Sequence, residues 1–304
     1  VIDNANAITV GNSSSGIYSL NNTEISNTGS ITTGGSSTGI YYSDIERDNS
    51  GNVTAINNTT TGLKNDGSIT LNGDDSVGLT YEPGNITGTA SLENASTGSI
   101  TSTGDKNVGM FAKLAQNGVS YNTVNNGNIT LGNSASMSNP NVAMYTNATS
   151  TGTNPLQNAG DITVGNNSVG MYGFEEDTTG DVTAGNGGIG LYSQGGAVNI
   201  GGGSTTPTIT VGSINATAVF TTGSGQTVTS TNATYNIGDN SYGFVNTGSG
   251  NTLNISGGTG TLTDNGVFIY SSDTAGNITS NTKITSTGSN GSNFGIFSAG
   301  TVNN

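Results

Sequence analysis

The sequence of 304 residues contains no cysteine, no histidine and no tryptophan. Without cysteine, the protein cannot form a disulfide framework or a thiolate metal site. Without histidine, it lacks the commonest general base and the commonest transition-metal ligand. Nucleophilic triads that depend on histidine or cysteine are therefore excluded.

Positively charged residues are also rare. Five Lys and Arg residues stand against nineteen Asp and Glu residues, which gives a formal net charge of −14. We expect no nucleic-acid partner, because binding to phosphates requires a surplus of positive charge. No apolar run approaches the length of a transmembrane helix, so we expect no direct membrane insertion of this segment.

A short phrase recurs along the whole chain. It consists of Ile-Thr-x-Gly, a few polar residues, and then Gly followed by Ile, Met or Leu and an aromatic residue. Seven clear copies begin at Ile8, Ile31, Ile69, Ile100, Ile129, Ile162 and Val182, and looser copies begin at Ile209, Ile237, Ile255 and Ile278. Repetition at this period is typical of a solenoid, in which each unit buries its apolar side against its neighbours.

Each repeat holds a third apolar segment before the Ile-Thr pair. Residues 63–69, for example, align with residues 25–31. The segments are rich in β-branched residues, alternate with a period of two and are too short for helices. We therefore predict an all-β fold: one right-handed parallel β-helical solenoid over 1–304, with about eleven coils and three short strands per coil. Both ends lack a polar capping unit, so we expect uncapped ends and a fragment of a longer rod.

The repeat also predicts which side chains face the core. Ile69 and Leu71 should point inward and Thr70 outward, because successive side chains on a strand alternate. Equivalent residues should stack about 4.8 Å apart on successive coils. Corner asparagines should bond to their stacked neighbours. Corner glycines should supply positive φ, and these are Gly29, Gly67, Gly127 and Gly160.

Insertions interrupt the repeats, and five of them follow the strand that carries Gly-Ile-Tyr. They are 42–60, 82–91, 112–123, 146–155 and 173–178, and we expect them to form one lateral ridge. A sixth, 134–141, precedes its strand. Loops on a rigid scaffold often carry binding residues, so the charged ridge residues are candidates for binding: Asp44, Glu46, Arg47, Asp48, Lys113, Glu175, Glu176 and Asp177.

Three adjacent acidic residues, Glu175 to Asp177, could bind Ca²⁺, which takes six to eight oxygen ligands. The same run could equally be a solvated acidic loop. The Gly-Gly-x-Gly-x-Asp nonapeptide of calcium-binding β-rolls does not occur. No motif supports a calcium site, and we predict no cofactor.

An aromatic residue recurs at the end of the Gly-Ile-Tyr strand. Alternation places these rings on one outer face, where they could stack on sugars or contact a partner protein. A corner could instead turn the rings inward, or a loop could cover them. The candidate residues are Tyr18, Tyr41, Phe111, Tyr145, Tyr172 and Tyr192.

Catalysis is not predicted. Glycoside cleavage needs two carboxylates at a defined separation. The adjacent pairs Asp74–Asp75 and Glu175–Glu176 should point to opposite faces of a strand. A β-elimination lyase needs basic residues in its groove, and the five in this chain are scattered.

The phrase from Gly160 to Tyr172 reads Gly-Asp-Ile-Thr-Val-Gly-Asn-Asn-Ser-Val-Gly-Met-Tyr. It resembles the passenger repeats of large fusobacterial autotransporter adhesins, a group that includes arginine-inhibitable and galactose-binding adhesins. The resemblance implies an extracellular passenger at the bacterial cell surface, anchored in the outer membrane through a C-terminal barrel that this chain lacks. Passengers of this group are associated with attachment to other bacteria or host cells.

We therefore predict an adhesin segment: a rigid stalk whose side loops contact protein or glycan receptors on bacteria or host cells. One alternative is a passive spacer that binds nothing itself. Another is a carbohydrate-active β-helix.

Overall fold

A computed structural model describes residues 1–21, 24–59, 62–86, 91–113, 121–149, 155–202 and 204–303. In these residues all regular structure is β-strand, and three parallel sheets, here named A, B and C, run the length of the chain. Each coil contributes one strand to each sheet in turn. The predicted right-handed parallel β-helix with three strands per coil is confirmed.

Coils 1 and 2 comprise β1 (Ile2–Asn4), β2 (Ala7–Thr9), β3 (Ser15–Leu20), β4 (Ile25–Asn27), β5 (Ser30–Thr33) and β6 (Thr38–Ser43), followed by β7 (Ile45–Arg47), β8 (Val53–Ile56) and β9 (Asn58–Thr59). Coils 3 to 5 comprise β10 (Leu63–Asn65), β11 (Ser68–Leu71), β12 (Val77–Glu82), then β13 (Asn85–Ile86), β14 (Ser91–Asn94), β15 (Ser99–Ser102), β16 (Val108–Ala112), β17 (Asn122–Asn125), β18 (Asn128–Leu131) and β19 (Val142–Thr146). Coils 6 to 8 comprise β20 (Leu156–Asn158), β21 (Asp161–Val164), β22 (Val169–Gly173), β23 (Glu176–Thr178), β24 (Val182–Ala184), β25 (Ile189–Ser193), β26 (Val198–Gly201), β27 (Thr208–Val211) and β28 (Thr217–Thr221). Coils 9 to 11 comprise β29 (Thr227–Thr231), β30 (Thr234–Ile237), β31 (Tyr242–Asn246), β32 (Thr252–Ser256), β33 (Thr259–Leu262), β34 (Val267–Ser271), β35 (Asn277–Ser280), β36 (Lys283–Ser286) and β37 (Phe294–Ser298), and β38 (Thr301–Asn303) follows.

The core is a set of vertical columns inside the coils. Ile69 pairs in register with the isoleucines of the coils before and after it, and it is fully buried together with Leu71. Thr70 lies on the outer face, as predicted. The outer column of sheet B is threonine in ten of its eleven positions: Thr9, Thr32, Thr70, Thr101, Thr130, Thr163, Thr183, Thr210, Thr261 and Thr285.

An asparagine ladder closes the corner after sheet A in the first half of the rod. Asn65 donates from Nδ2 to Oδ1 of Asn94 at 2.8 Å, and Asn94 donates likewise to Asn125 at 2.8 Å. The same bond joins Asn4 to Asn27, Asn27 to Asn65 and Asn125 to Asn158. The predicted bonding of stacked corner asparagines is confirmed. From coil 8 onward the column changes to Ile200, Ser230, Ile255 and Ser280.

The prediction of positive φ at the corner glycines was wrong. None of the four has positive φ. A Cβ on Gly67 would overlap the carbonyl oxygen of Gly29, and a Cβ on Gly160 would overlap that of Gly127, so glycine is needed here for close approach between coils. Positive φ occurs instead at the corner between sheets B and C, at Ser13, Ser36, Asp75, Lys106, Asn167, Asn215, Asn240 and Asn265.

Four of the five ridge insertions lie at the corner between sheet C and the next strand of sheet A. In the first, β7 and β8 form an antiparallel hairpin, and β9 pairs with β13 of the second. The predicted boundaries were too wide: Tyr42, for example, belongs to β6 and is buried in the core. Parts of 42–60, 82–91, 112–123 and 146–155 lie outside the described residues.

The prediction of a fifth insertion at 173–178 is wrong. Residues Glu176–Thr178 form β23, a strand of sheet A that pairs with β20 and β26. The Glu-Glu-Asp run resembled a solvated loop because its inward residue is a glutamate, where all other coils except coil 5, which has Thr123, have leucine, isoleucine or valine.

Candidate binding surface

The outer side of sheet C carries a continuous column of large side chains. In register from coil 1 to coil 11 these are Tyr18, Tyr41, Thr80, Phe111, Tyr145, Tyr172, Tyr192, Phe220, Val245, Tyr270 and Phe297. All six predicted aromatic residues are among them. The rings point outward: Tyr18 is 58% exposed, and the other five predicted rings are half-buried against each other.

Neighbouring rings of this column stack along the rod. The centroids of Phe111 and Tyr145 are 5.0 Å apart, and those of Tyr145 and Tyr172 are 5.4 Å apart, with nearly parallel planes. The stacking changes at Tyr172 and Tyr192, whose planes meet at 76°. Ring pairs of these kinds contribute to stability beyond the area they bury.

A second outer column runs beside the aromatic one on the same sheet. It contains Ser15, Thr38, Val77, Val108, Val142, Val169, Ile189, Thr217, Tyr242, Val267 and Phe294. We call the two columns together the aromatic face. All of its positions lie in described strands, and none of them carries a charged side chain.

A groove of about 300 Å³ lies on the aromatic face where the ring stacking changes. Its walls are Val169, Tyr172, Ile189 and Tyr192 from the sheet, and Met137 and Pro140 from the insertion that precedes β19. Met137 is 37% exposed. The side chain of Gln194 donates from Nε2 to the Tyr172 hydroxyl at 2.7 Å, which fixes one ring beside the groove.

Beside coils 2 to 4 of this face, the structure brings three of the predicted residues together around Glu82. Arg47 contacts one carboxylate oxygen of Glu82 at 2.6 Å, and Lys113 contacts the other at 3.1 Å. The Tyr41 hydroxyl donates to Glu82 at 2.6 Å. Glu82 is fully buried, although its two cationic partners are each about one third exposed.

The partners of Glu82 determine its protonation state. Burial raises the pKa of the Glu82 carboxyl, but hydrogen bonds from Tyr41, Arg47 and Lys113 outweigh burial and hold the pKa below its ordinary value. Burial and the Glu82 carboxylate raise the pKa of Tyr41 well above its ordinary value. Glu82 is therefore a charged clamp that fixes the β7–β8 hairpin and the start of the third insertion to the rod.

The remaining charges of the first insertion also have structural partners. Asp48 accepts backbone N–H bonds from Ser50 and Asn52 at 2.9 Å and closes the hairpin turn. Glu46 accepts a hydrogen bond from Asn21 at 2.6 Å. Asp44 is fully buried. The structure therefore does not present these three carboxylates as one exposed cluster.

The acidic run of coil 7 separates across the wall of the rod. Glu176 points into the core between Leu156 and Val198, whereas Asp177 is on the outer face and accepts a hydrogen bond from Asn199 at 2.7 Å. Glu175 is half-buried before the strand. Among the described residues, no group of three or more Asp or Glu side chains is placed to hold a metal ion.

Burial of Glu176 has a strong effect on its protonation. Neither carboxyl oxygen has a hydrogen-bond partner of good geometry. Burial raises the pKa of Glu176 well above its ordinary value, and the nearby Ser193 hydroxyl and Gly173 N–H are too weak to offset burial. Burial therefore favours the protonated form of Glu176, and the run does not present three carboxylates on one side of the strand.

Four of the five basic residues are engaged in ion pairs. Besides Arg47 and Lys113, Lys64 contacts Asp66 at 3.0 Å and Lys106 contacts Asp75 at 3.5 Å. The Asp74 carboxylate accepts a backbone hydrogen bond from Asp105 on the next coil.

The described residues contain no helix with the length and hydrophobicity that a membrane span requires.

Sequence reasoning missed two features of this surface. Glu82 was not among the candidate residues, because its burial beneath the first insertion depends on the path of the chain. The Val and Ile residues of the second column occur two positions before each inward Ile, Leu or Met and could be located from the sequence. Strict alternation along the strand, however, predicts that their side chains point into the core.

A family model of the BigA third pectate lyase-like domain matches residues 1–180. No curated protein and no solved structure gives a significant match to the chain. The matched region covers coils 1 to 6 and the first strand of coil 7. It contains the whole Glu82 cluster and the first six positions of each column of the aromatic face. The chain therefore belongs to the family of the BigA third pectate lyase-like domain.

Proposed function

We propose that this chain is an extracellular segment of a bacterial surface adhesin, a rigid rod that contacts receptors on other bacteria or host cells. The observation that carries the proposal is the aromatic face, whose two columns hold no charged side chain and are mostly aromatic or aliphatic, on a chain with a net charge of −14. Exposed apolar patches of this size mark interaction sites on soluble proteins. The resemblance of the repeats to autotransporter passengers and the family assignment also support it.

The contact surface in this proposal differs from the predicted loop ridge. The ridge charges are engaged by Glu82 and by hairpin turns, whereas the aromatic face carries outward rings that are partly exposed to solvent. Tyrosine combines apolar area with a hydroxyl, which suits both glycan and protein receptors. Many weak contacts on one cell would add to a strong attachment.

The proposal also holds that the segment is not an enzyme and needs no cofactor. A β-elimination needs a free basic residue, and four of the five in this chain lie within 4 Å of a carboxylate. Cleavage of acidic polysaccharides by the purified chain would overturn this part of the proposal.

The test is binding of the purified chain to intact bacterial and epithelial cells and to a glycan array. A variant with Tyr145→Ser, Tyr172→Ser and Tyr192→Ser removes three adjacent rings. Its matched control, Thr130→Ser, Thr163→Ser and Thr183→Ser, alters the outer column of sheet B in the same coils. We expect saturable binding that falls about tenfold or more in the tyrosine variant and not in the control.

Two results would contradict the proposal. Equal binding by the tyrosine variant would place the contact elsewhere, and the hairpin turn 48–52 would be tested next. No binding by any version would favour the passive spacer.

A further inference from the structure

The aromatic face has the size of a stable protein interface. A strand of five residues is about 16 Å long, and eleven strands spaced about 4.8 Å apart extend about 48 Å. The outline of the face is therefore at most about 770 Å² on one rod, and two such faces would bury at most about 1,500 Å² in total. The buried positions reduce this area, and they are Thr80, Val142, Val169, Thr217 and Val245. Stable interfaces bury about 1,600 Å².

The face also has the composition of an interface centre. The two columns combine Tyr and Phe with Val and Ile, and interface centres are enriched in aromatic residues and depleted in charge. The outer columns of the other two sheets do carry charges, at Asp3, Lys64, Glu93 and Asp177 on sheet A and at Asp161, Asp181 and Lys283 on sheet B. The two columns of sheet C carry no charged side chain of their own, and a cation beside them is Lys113, whose ammonium lies 5.8 Å from the centroid of the Tyr41 ring.

We propose that the aromatic face is an interface between two copies of this chain packed side by side. A second copy carries the same net charge of −14, so the two rods repel each other through every face that bears acidic side chains. The aromatic face is the surface on which repulsion is least and apolar burial is greatest.

The spacing of the two columns also favours a second copy over other occupants. Rows of side chains repeat every coil, at about 4.8 Å, and another sheet of the same rod repeats at the same interval. Two sheets can then interdigitate at about 10 Å separation. Met137 and Pro140 flank the face at coils 6 and 7, and Lys113 lies over Tyr41, so the interdigitation applies to the coils between and beyond these points. A two-fold axis between the rods would make the same patch serve both copies.

The proposed pairing uses the same surface as the proposed adhesion, and its partner is a second copy of this chain. In cells, pairing of rods would join two surfaces or two molecules on one surface. Association should become stronger as salt rises, because salt screens the repulsion between the two acidic rods and leaves apolar burial intact.

The test is sedimentation equilibrium of the purified chain over a wide concentration range at low and high NaCl. Tyr172→Asp with Tyr192→Asp places four like charges in the interface of a pair. The matched control, Thr163→Asp with Thr183→Asp, adds the same charge to sheet B of the same coils. We expect a dimer that tightens with salt, weakens more than about tenfold in the tyrosine variant and persists in the control.

Variants are compared only where the circular dichroism of the folded rod is retained. If the aspartates disturb the fold, the serine variant of the three tyrosines replaces them. A monomer at all concentrations and salts overturns the proposal, and so does a dimer that both charge variants weaken equally. A chain that stays monomeric but loses cell binding in the tyrosine variant overturns the pairing and leaves the adhesin proposal in place.

Discussion

Two fully buried carboxyl groups in this rod have pKa values shifted in opposite directions. Glu82 has three hydrogen-bonding partners, two of them cationic, and its pKa is lowered. Glu176 lies in a mostly aliphatic column without a partner of good geometry, and its pKa is raised. The difference follows from partners and not from depth, because both side chains are inaccessible to solvent.

Glu176 makes the rod less stable as the pH rises. Its folded pKa is raised, so the folded state holds a proton that the unfolded chain releases above about pH 4.5. The unfolding free energy therefore falls as pH rises from that value towards the raised pKa. Glu176→Gln should remove this dependence, and Glu176→Leu should stabilise the rod by about 1–3 kcal/mol, because it removes a buried polar group.

Denaturant unfolding between pH 5 and pH 9 measures this effect. Asp177→Asn is the matched control, since Asp177 is the next residue on the same strand and faces solvent. A Glu176→Leu variant that is less stable than the natural chain at pH 8 would contradict the assignment of Glu176 as a buried, unpartnered group.

Glu82 should fix the first insertion to the rod. In Glu82→Gln, Arg47 and Lys113 lose their shared counter-charge, so the hairpin should open more often. We expect trypsin to cleave after Arg47 and Lys113 several-fold faster than in the natural chain. Lys283 is far along the chain and serves as an internal control in the same digest.

The pH dependence of this clamp has the opposite sign to that of Glu176. The folded pKa of Glu82 is lowered, so its contribution is present above the ordinary value of 4.5 and is lost as pH falls through the lowered pKa. The natural chain and Glu82→Gln should therefore become equally stable in strong acid. A difference that persists in acid would show that the clamp does not depend on the carboxylate charge.

Among the elements, the asparagine ladder divides the rod into two parts. In coils 1 to 6 each corner amide bonds to the next, whereas coils 8 to 11 have Ile or Ser in the same column. Apolar packing and separate hydroxyl contacts replace the ladder in the second part, and Ser230, for example, bonds to the Tyr235 hydroxyl at 2.7 Å. Buried amides bonded in series are costly to interrupt.

Asn94→Ala should therefore destabilise the rod by about 2–4 kcal/mol, because it leaves the amides of Asn65 and Asn125 each without one partner. Asn126→Ala is the control, since Asn126 is exposed and bonds only at the surface with Glu93. Thermal unfolding of the two variants measures the difference. Equal effects would mean that the ladder contributes no more than a surface amide.

Most of the strands could be predicted from the sequence, because the repeat sets the register between successive coils. Ile69, Thr70 and Leu71 take their predicted sides, since one misplaced residue would expose the whole apolar column. The corner glycines could not be explained from one coil, because their constraint is the carbonyl of the coil beside them. The strand at 176–178 was missed because an inward glutamate gives the pattern of a loop.

The candidate surface was only partly predictable. The recurrence of Tyr after Gly-Ile, Gly-Met or Gly-Leu predicts one column of rings, and Tyr145 and Tyr172 lie in it. Whether the rings face outward depended on the path of sheet C at its corner. The convergence of Arg47, Glu82 and Lys113 spans three coils and insertions of irregular length, so no local spacing encodes it.

For the whole molecule, the distribution of charge is as informative as the fold. The −14 charge keeps rods apart in general, and its absence from the aromatic face leaves one surface on which contact is favourable. In both proposals the contact surface extends along the length of the rod and is not confined to a single pocket. The proposed function and the proposed pairing both rest on this asymmetry.

The most direct measurement is photo-crosslinking from the two outer faces. One version of the chain carries a photoreactive phenylalanine analogue at Tyr172, and the other carries it at Thr163 of the same coil. Each is bound to intact cells at a concentration where the chain is saturated, and then irradiated. We expect crosslinked partners from position 172 and few from position 163. Crosslinks from position 163 with none from position 172 would contradict this expectation.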